Sequence, residues 1–351
     1  MIQTFKQIFF GMRVFFRHLT IKNYKKIIIF MWRRLCLRKP IPFSVVFALT
    51  YKCQCNCVHC SVADYENKNN ELTTDEAKSV LDFIAAWGPL KITFFGGEPL
   101  LRNDLVDLVS YASQKGMRTS IDTNGILLDR QMVVDLKKAG IGNINVSIDS
   151  SAAFVHDALR QSDGCFLSAI EGLKLCTQHA IPCLISTYAS KRALREGDLE
   201  RIVALARKMR LNGVKILFPI LSGKWRENES ERLGPEEEKH LESLLDPSFV
   251  YIEDALEMVK KRQKGCSAME RNLVYISPYG DIQPCPAIPI SFGNVRDEDP
   301  KDIIKRMSDH TFYKKYSSCD KCLMNEQRFR ESYFSVKNNR RLPLDVGELK
   351  I

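Results

Sequence analysis

The sequence predicts an α/β protein: a parallel sheet covered by helices, followed by a small cysteine-rich unit. Three observations predict it. Short apolar runs alternate with amphipathic helical stretches six times between residues 43 and 219. The alternation then stops at a polar, charged stretch. Four of the chain's twelve cysteines fall beyond that stretch, after residue 262.

Residues 1–20 predict a helix, because Ile2, Phe5, Phe9, Met12, Phe16 and Leu19 recur at steps of three and four, with Lys6, Arg13 and Arg17 along one flank. Residues 21–38 continue basic and aromatic until Pro40 and Pro42 break any helix. Phe43–Thr50 reads as the first strand. Thr73–Trp87 reads as a helix opened by the capping box Thr73-Thr74-Asp75-Glu76. Strands are expected over Lys91–Phe95, Arg118–Thr123, Asn143–Ile148, Ile181–Tyr188 and Gly213–Pro219, with helices over Asp104–Lys115, Asp129–Ala139, Cys165–Gln178 and Glu196–Met209 between them. Glu227–Glu238 reads as a linker merging into a helix, and a smaller unit begins near Cys266. Six units fall short of the eight in a full TIM barrel. An open barrel and a doubly wound sheet both satisfy the pattern, and both place ligands at the carboxyl ends of the strands.

At 351 residues, 45% hydrophobic and 27% charged, the chain suits one large domain with an appendage and excludes collagen-like, coiled-coil and broadly disordered classes. Its net charge of +10 is unevenly placed. Residues 1–40 hold ten of the 52 Lys and Arg and no acid, so the remaining 42 bases balance the 42 Asp and Glu. The arm, and not the body, calls for an anionic partner. Its longest apolar run, Ile27–Trp32, is fenced by Lys25, Lys26, Arg33 and Arg34; it is too short to span a bilayer and short for a signal-peptide core. The acid-free composition also suits a transit peptide. No later segment is long and apolar enough to cross a membrane.

Seven cysteines stand in tight or patterned spacings, which without a secretory signal read as metal or redox sites in a reducing compartment. Cys53, Cys57 and Cys60 form Cys-x3-Cys-x2-Cys directly after the first strand. Three thiolates leave one iron of a cubane cluster open to another molecule, whereas an electron carrier is fully ligated. A zinc site completed by Cys55 or His59 fits the same residues. Gly96-Gly97-Glu98-Pro99 follows the second strand and reads as a tight turn where backbone approaches a ligand, with Glu98 able to accept from an ammonium group. Asp122-Thr123-Asn124-Gly125 ends the third strand, where a plain Asn-Gly turn is an equal reading. Ser147-Ile148-Asp149 ends the fourth. Further on come Cys266, Cys285 and Cys319-x2-Cys322, four thiols suited to closed zinc or to a fully ligated iron–sulfur cluster.

In these motifs, taken in order, the chain resembles the radical S-adenosylmethionine superfamily over about residues 41–330. The resemblance implies a partial (βα)6 TIM-type barrel with a small C-terminal cysteine-rich iron–sulfur domain. It implies that Cys53, Cys57 and Cys60 hold a catalytic 4Fe-4S cluster, with His59 as the aromatic residue before the third cysteine. Gly96, Gly97 and Glu98 would bind the amino group of S-adenosylmethionine, with Asn124 nearby. Ser147 would contact its methionine part beside Asp149, and Arg160 its carboxylate, with a surface ion pair as the alternative for Arg160. Reductive cleavage of the cofactor would give a 5′-deoxyadenosyl radical that takes hydrogen from substrate. The C-terminal set resembles a shortened SPASM, or twitch, domain: no cysteine follows Cys322 to ligate a second auxiliary cluster, so Cys266, Cys285, Cys319 and Cys322 would hold one auxiliary 4Fe-4S cluster, whose full ligation implies an electron-transfer role. Cys36, Cys165, Cys176 and Cys183 are expected to be buried small hydrophobes.

The expected layout is an arm over 1–40, the barrel over 41–225, a linker and helix over 226–262, the auxiliary domain over 263–330 and a tail over 331–351. A flavodoxin or ferredoxin is expected as reductant, and a cytoplasmic location. The basic, Phe-rich arm suits an anionic membrane interface at residues 1–38, or packing on the body or on a second subunit; nucleic acid is disfavoured because the body carries no excess base. A lipid or lipid-linked substrate is the favoured expectation, ahead of a small metabolite or a peptide. The competing classes are a zinc-stabilised binding protein and a pure iron–sulfur electron carrier, in which Gly96–Pro99, Ser147 and Arg160 would have nothing to do.

Overall fold

A computed structural model describes residues 21–349 apart from 66–68, 247, 253–265, 318, 320–321 and 335–341. The apolar stripe expected over residues 1–20 therefore lies outside the described residues.

The strands are β1 (Ser44–Thr50), β2 (Lys91–Gly96), β3 (Arg118–Thr123), β4 (Asn143–Ser147), β5 (Cys183–Tyr188) and β6 (Gly213–Leu217), joined into one parallel sheet. Each is followed by helical structure that buries its apolar face on the sheet. Thr73 caps the helix Thr74–Trp87 through a capping box closed by Glu76, and Gly88 ends it at φ +111°. Across the sheet the strands lie in the order β6-β5-β4-β3-β2-β1, following the chain in one direction. That excludes the doubly wound alternative, whose order reverses at a switch point. The sheet also curls. β3 and β6 would stand about 14 Å apart if flat, yet Lys215 Nζ reaches Asp122 Oδ2 at 3.8 Å. The result is a partial barrel.

One expectation needs correction, and several elements add to the expected outline. The alternation does not stop after Pro219: the helix Pro235–Ser243 leads to β7 (Val250–Ile252), parallel to β6. On the other edge, β8 (Leu273–Ile276) pairs in parallel with β1, and β9 (Ile282–Gln283) pairs antiparallel with β8. The helix expected over Glu196–Met209 stands as Asp198–Lys208, and a short helix not expected, Lys191–Arg195, precedes it, separated from it at Gly197, whose φ of +65° no helix continues through. A helix over Ala153–Arg160 was not expected at all.

The arm continues as α1 (Ile21–Met31) and a π-turn over Trp32–Cys36. It lies across the N-terminal ends of the strands. Asn23 donates to Gly116 O, Arg33 to Trp87 O and Arg34 to Ile41 O, while Phe30 meets Phe43 edge-on at 6.3 Å. These partners all precede strands β1, β2 or β3.

Candidate functional site at the carboxyl ends of the strands

The loop that leaves β1 carries four cysteines, and three neighbouring elements hold it. From the end of β2, Gly97 N donates to Thr50 O at 2.8 Å and Glu98 N to Lys52 O at 2.9 Å. From the helix Ala153–Arg160, Leu159 O and Arg160 O accept from Val58 N and Asn56 N. After β6, Lys224 N donates to Cys60 O and Lys224 Nζ to Asn56 O at 2.7 Å. The approach leaves no room for side chains. A Cβ on Gly96, at φ +145°, would lie 2.1 Å from Thr50 O, and one on Gly223, at φ +56°, 2.0 Å from Cys60 O. At Gly97 the distance to Lys52 O would be 2.4 Å.

Glu98 is fully buried and ties β2 to β3. Its Oε1 accepts from Leu100 N and from Thr123 Oγ1 at 2.7 Å, and its Oε2 from Asn124 N at 2.8 Å. Burial pushes its carboxyl up to about 7 against the pull of those donors. Oε2 keeps capacity for a further donor. Asn124 Nδ2 reaches Cys53 Sγ at 3.8 Å, so the Asn-Gly turn faces the cysteine loop.

Ser147 closes β4, and two residues on Asp149 sits at the centre of a buried cluster. Arg160 Nε donates to Asp149 Oδ2 at 2.7 Å, and His59 Nε2 stands 3.3 Å from the same oxygen. Burial alone would raise the Asp149 carboxyl, but the charges of Arg160 and His59 outweigh it and hold it well below the usual range. The pair is buried, not on the surface. The His59 ring packs 4.7 Å from Tyr188 and 5.6 Å from Trp225.

The thiols are coupled. Cys55 lies in hydrogen-bonding reach of Cys165, Cys53 and Cys57, and this together with burial raises its own thiol far above the ordinary range. Cys57 is lowered to about 6, by the Cys55 hydrogen bond first and by Arg160 and His59 after it. Cys165, expected to be an inert hydrophobe, is buried but lowered to about 5 by Cys55 and then His156. Cys176 and Cys183 are buried with thiols raised by desolvation, as inert cysteines are, whereas Cys36 is exposed.

Three of the C-terminal cysteines, Cys266, Cys285 and Cys319, are linked through neighbouring contacts. Cys266 N donates to Cys319 O at 3.4 Å, and the charges of Cys285 and Cys266 both act on the phenol of Tyr313. Between the two sets lies a buried aromatic layer. Tyr51, two residues before Cys53, hydrogen-bonds Tyr275 at 2.8 Å and stacks on Tyr65 at 4.9 Å. Tyr65 donates to Gln283, two residues before Cys285.

The residues fit an S-adenosylmethionine-dependent iron–sulfur site. Asp149 Oδ1 and Ser222 Oγ are buried at the strand ends without a protein partner, as polar atoms awaiting a ligand would be. The Tyr313 hydroxyl is similarly buried and unpartnered beside Cys285 and Cys266. Sequence reasoning missed Cys165, Tyr188, Ser222 and Trp225. Only their positions just after strands or at a helix start could have signalled them.

Comparison with known proteins agrees. Residues 47–206 match the Radical SAM superfamily, and residues 266–323 match an iron–sulfur cluster-binding domain. The chain is 29% identical over 290 residues to the AdoMet-dependent heme synthase of Methanosarcina barkeri (strain Fusaro / DSM 804), covering 75% of this chain and 82% of that protein. It is 34% identical over 210 residues to the Fe-coproporphyrin III synthase of the same organism, 59% of this chain and about half (51%) of that protein. In fold it is similar to Streptococcus suis SuiB bound to S-adenosylmethionine, with a TM-score of 0.65 and 17% identity over 80% of this chain and 68% of that one. Native anSMEcpe with bound AdoMet gives a TM-score of 0.60 at 17% identity, over 80% of this chain and 86% of that one.

Proposed function

Because the chain belongs to the radical SAM superfamily, we propose that it is a radical enzyme that removes a hydrogen atom from a carboxylate-bearing tetrapyrrole. Its cofactors are S-adenosylmethionine, a catalytic 4Fe-4S cluster and an auxiliary one. Together the catalytic cluster and S-adenosylmethionine supply reductive carbon–sulfur cleavage and, through it, hydrogen abstraction.

The observation that carries the catalytic reading is the cysteine loop pinned among Gly97, Arg160 and Lys224 beside the unpartnered Asp149 Oδ1. In this reading Cys53, Cys57 and Cys60 hold the catalytic cluster, and Cys266, Cys285, Cys319 and Cys322 the auxiliary one. The Glu98 carboxylate receives the cofactor's ammonium. Asp149 and Arg160 position the loop, and His59, Tyr188 and Trp225 wall the site from water.

The tetrapyrrole is suggested by the names of the two Methanosarcina relatives. Lys215, in the barrel beside Asp122, offers a cation to a substrate carboxylate. A lipid-linked substrate is the second reading, drawn from the basic arm; the arm's place across the N-terminal strand ends, away from the cysteine loop, gives it no direct part in binding substrate. The test is 5′-deoxyadenosine release by the anaerobically reconstituted, reduced protein, given an iron porphyrin carboxylate in one arm and lipid extract in the other. Stimulation by the porphyrin alone supports the first reading, and stimulation by lipid alone overturns it.

A further inference from the structure

The face of the arm turned away from the barrel is apolar. Tyr24, Ile28, Met31 and Leu35 follow one another at steps of four, three and four, and Trp32 adjoins them. They are 54%, 69%, 46%, 65% and 55% exposed respectively. The opposite face is occupied by the contacts of Asn23, Phe30, Arg33 and Arg34 with the barrel. The helix thus has two working faces, and the apolar stripe of the outer one is uncovered among the described residues. Lys25, Arg38 and Lys39 are exposed around it, and the first 40 residues contain no acid.

We propose that this stripe seats the protein on an anionic lipid bilayer, with the catalytic mouth facing away from the membrane. Apolar side chains with aromatic residues among them, Tyr24 and Trp32, in an acid-free cationic setting are what the headgroup boundary of an anionic leaflet binds. A protein partner of ordinary mixed charge would leave the cations unmatched. The orientation follows from the fold. α1 crosses the N-terminal ends of β1–β3, and the cysteine loop lies at their carboxyl ends, about 20 Å further along strands of this length. Substrate then enters from the aqueous side. The inference rests on surface geometry and stands whether or not the tetrapyrrole reading holds.

Flotation of the full chain with vesicles tests it, using phosphatidylcholine with and without phosphatidylglycerol. The chain should float with the anionic vesicles and at least tenfold less with the neutral ones. Ile28→Glu with Leu35→Glu should reduce anionic binding at least tenfold at an unchanged melting temperature, while Leu167→Glu, at a 68% exposed site on the helix Cys165–Gln178, should not. Brominated lipid should quench tryptophan fluorescence, and Trp32→Phe should remove the quenching while Trp87 and Trp225 remain. Undiminished flotation of the double variant would assign binding to residues 1–20 and overturn the proposal. So would a failure to float accompanied by a dimer that the double variant dissociates, or by no association at all.

Discussion

Arg160 sets its Nε and Nη2 both 2.7 Å from one oxygen of Asp149, Oδ2, with both residues buried. Removing one partner strands the other's charge. Asp149→Asn and Arg160→Gln should each cost about 3–5 kcal/mol in urea unfolding, and the double variant less than their sum. Strict additivity would show that the two charges do not act as a pair.

Glu98 predicts a pH effect. Its folded pKa of about 7 lies above the ordinary 4.5, so the folded chain favours the protonated form. This contribution is fully present below about 4.5, fades as pH rises to about 7, and is absent above it. Relative to Glu98→Gln, the metal-free wild type should lose about 3 kcal/mol between pH 4.5 and pH 8. Urea denaturation at both values checks this; a constant difference would refute it.

The close approach at Gly223 predicts a steric variant. Gly223→Ala must push back Cys60 O from 2.0 Å and hold an alanine at φ +56°. The cost should be at least about 1–3 kcal/mol, and iron bound per chain should fall with it. Alanine at Gly164, whose Cβ would meet nothing within 4 Å at a similar φ of +74°, isolates the backbone share of that loss.

The two cysteine sets should separate by phenotype. Cys57→Ala should abolish 5′-deoxyadenosine release. Cys319→Ala should leave release uncoupled from product. If Cys53, Cys57 and Cys60 are the ligands, Cys55→Ser should keep the wild-type iron content of the catalytic site, measured by Mössbauer or EPR spectroscopy. Loss of that signal would put Cys55 in the ligand set.

Much of the barrel was legible because its elements announce themselves locally. Thr73 and Glu76 signal their helix, and the strand Arg118–Thr123 stands as expected to the residue. What escaped was decided by distant partners. β7 has three residues and β8 four, too few for a period to register, and each exists because a sheet edge was waiting for it. The helix Ala153–Arg160 was hidden behind a motif read for its arginine. In the site, the motif residues could be found by spacing, and the structure brings Cys53, Cys57, His59, Glu98, Asn124, Asp149 and Arg160 together around one loop. Cys165 could not be found so, because only the packing of the helix start against the loop gives its thiol a partner in Cys55.

The pairing of β8 with β1 carries a last consequence. Four residues beyond Cys266, register by register, fill the flank of the first barrel strand: Ser44 against Leu273, Val45 against Val274, Val46 against Tyr275, Phe47 against Ile276. A fragment ending before residue 266 would bare the apolar strand β1 along the hydrogen-bonding edge of Ser44–Phe47, the geometry that recruits other chains into aggregates. The cysteine-rich unit is therefore no detachable accessory; the barrel needs its strand to keep that edge covered.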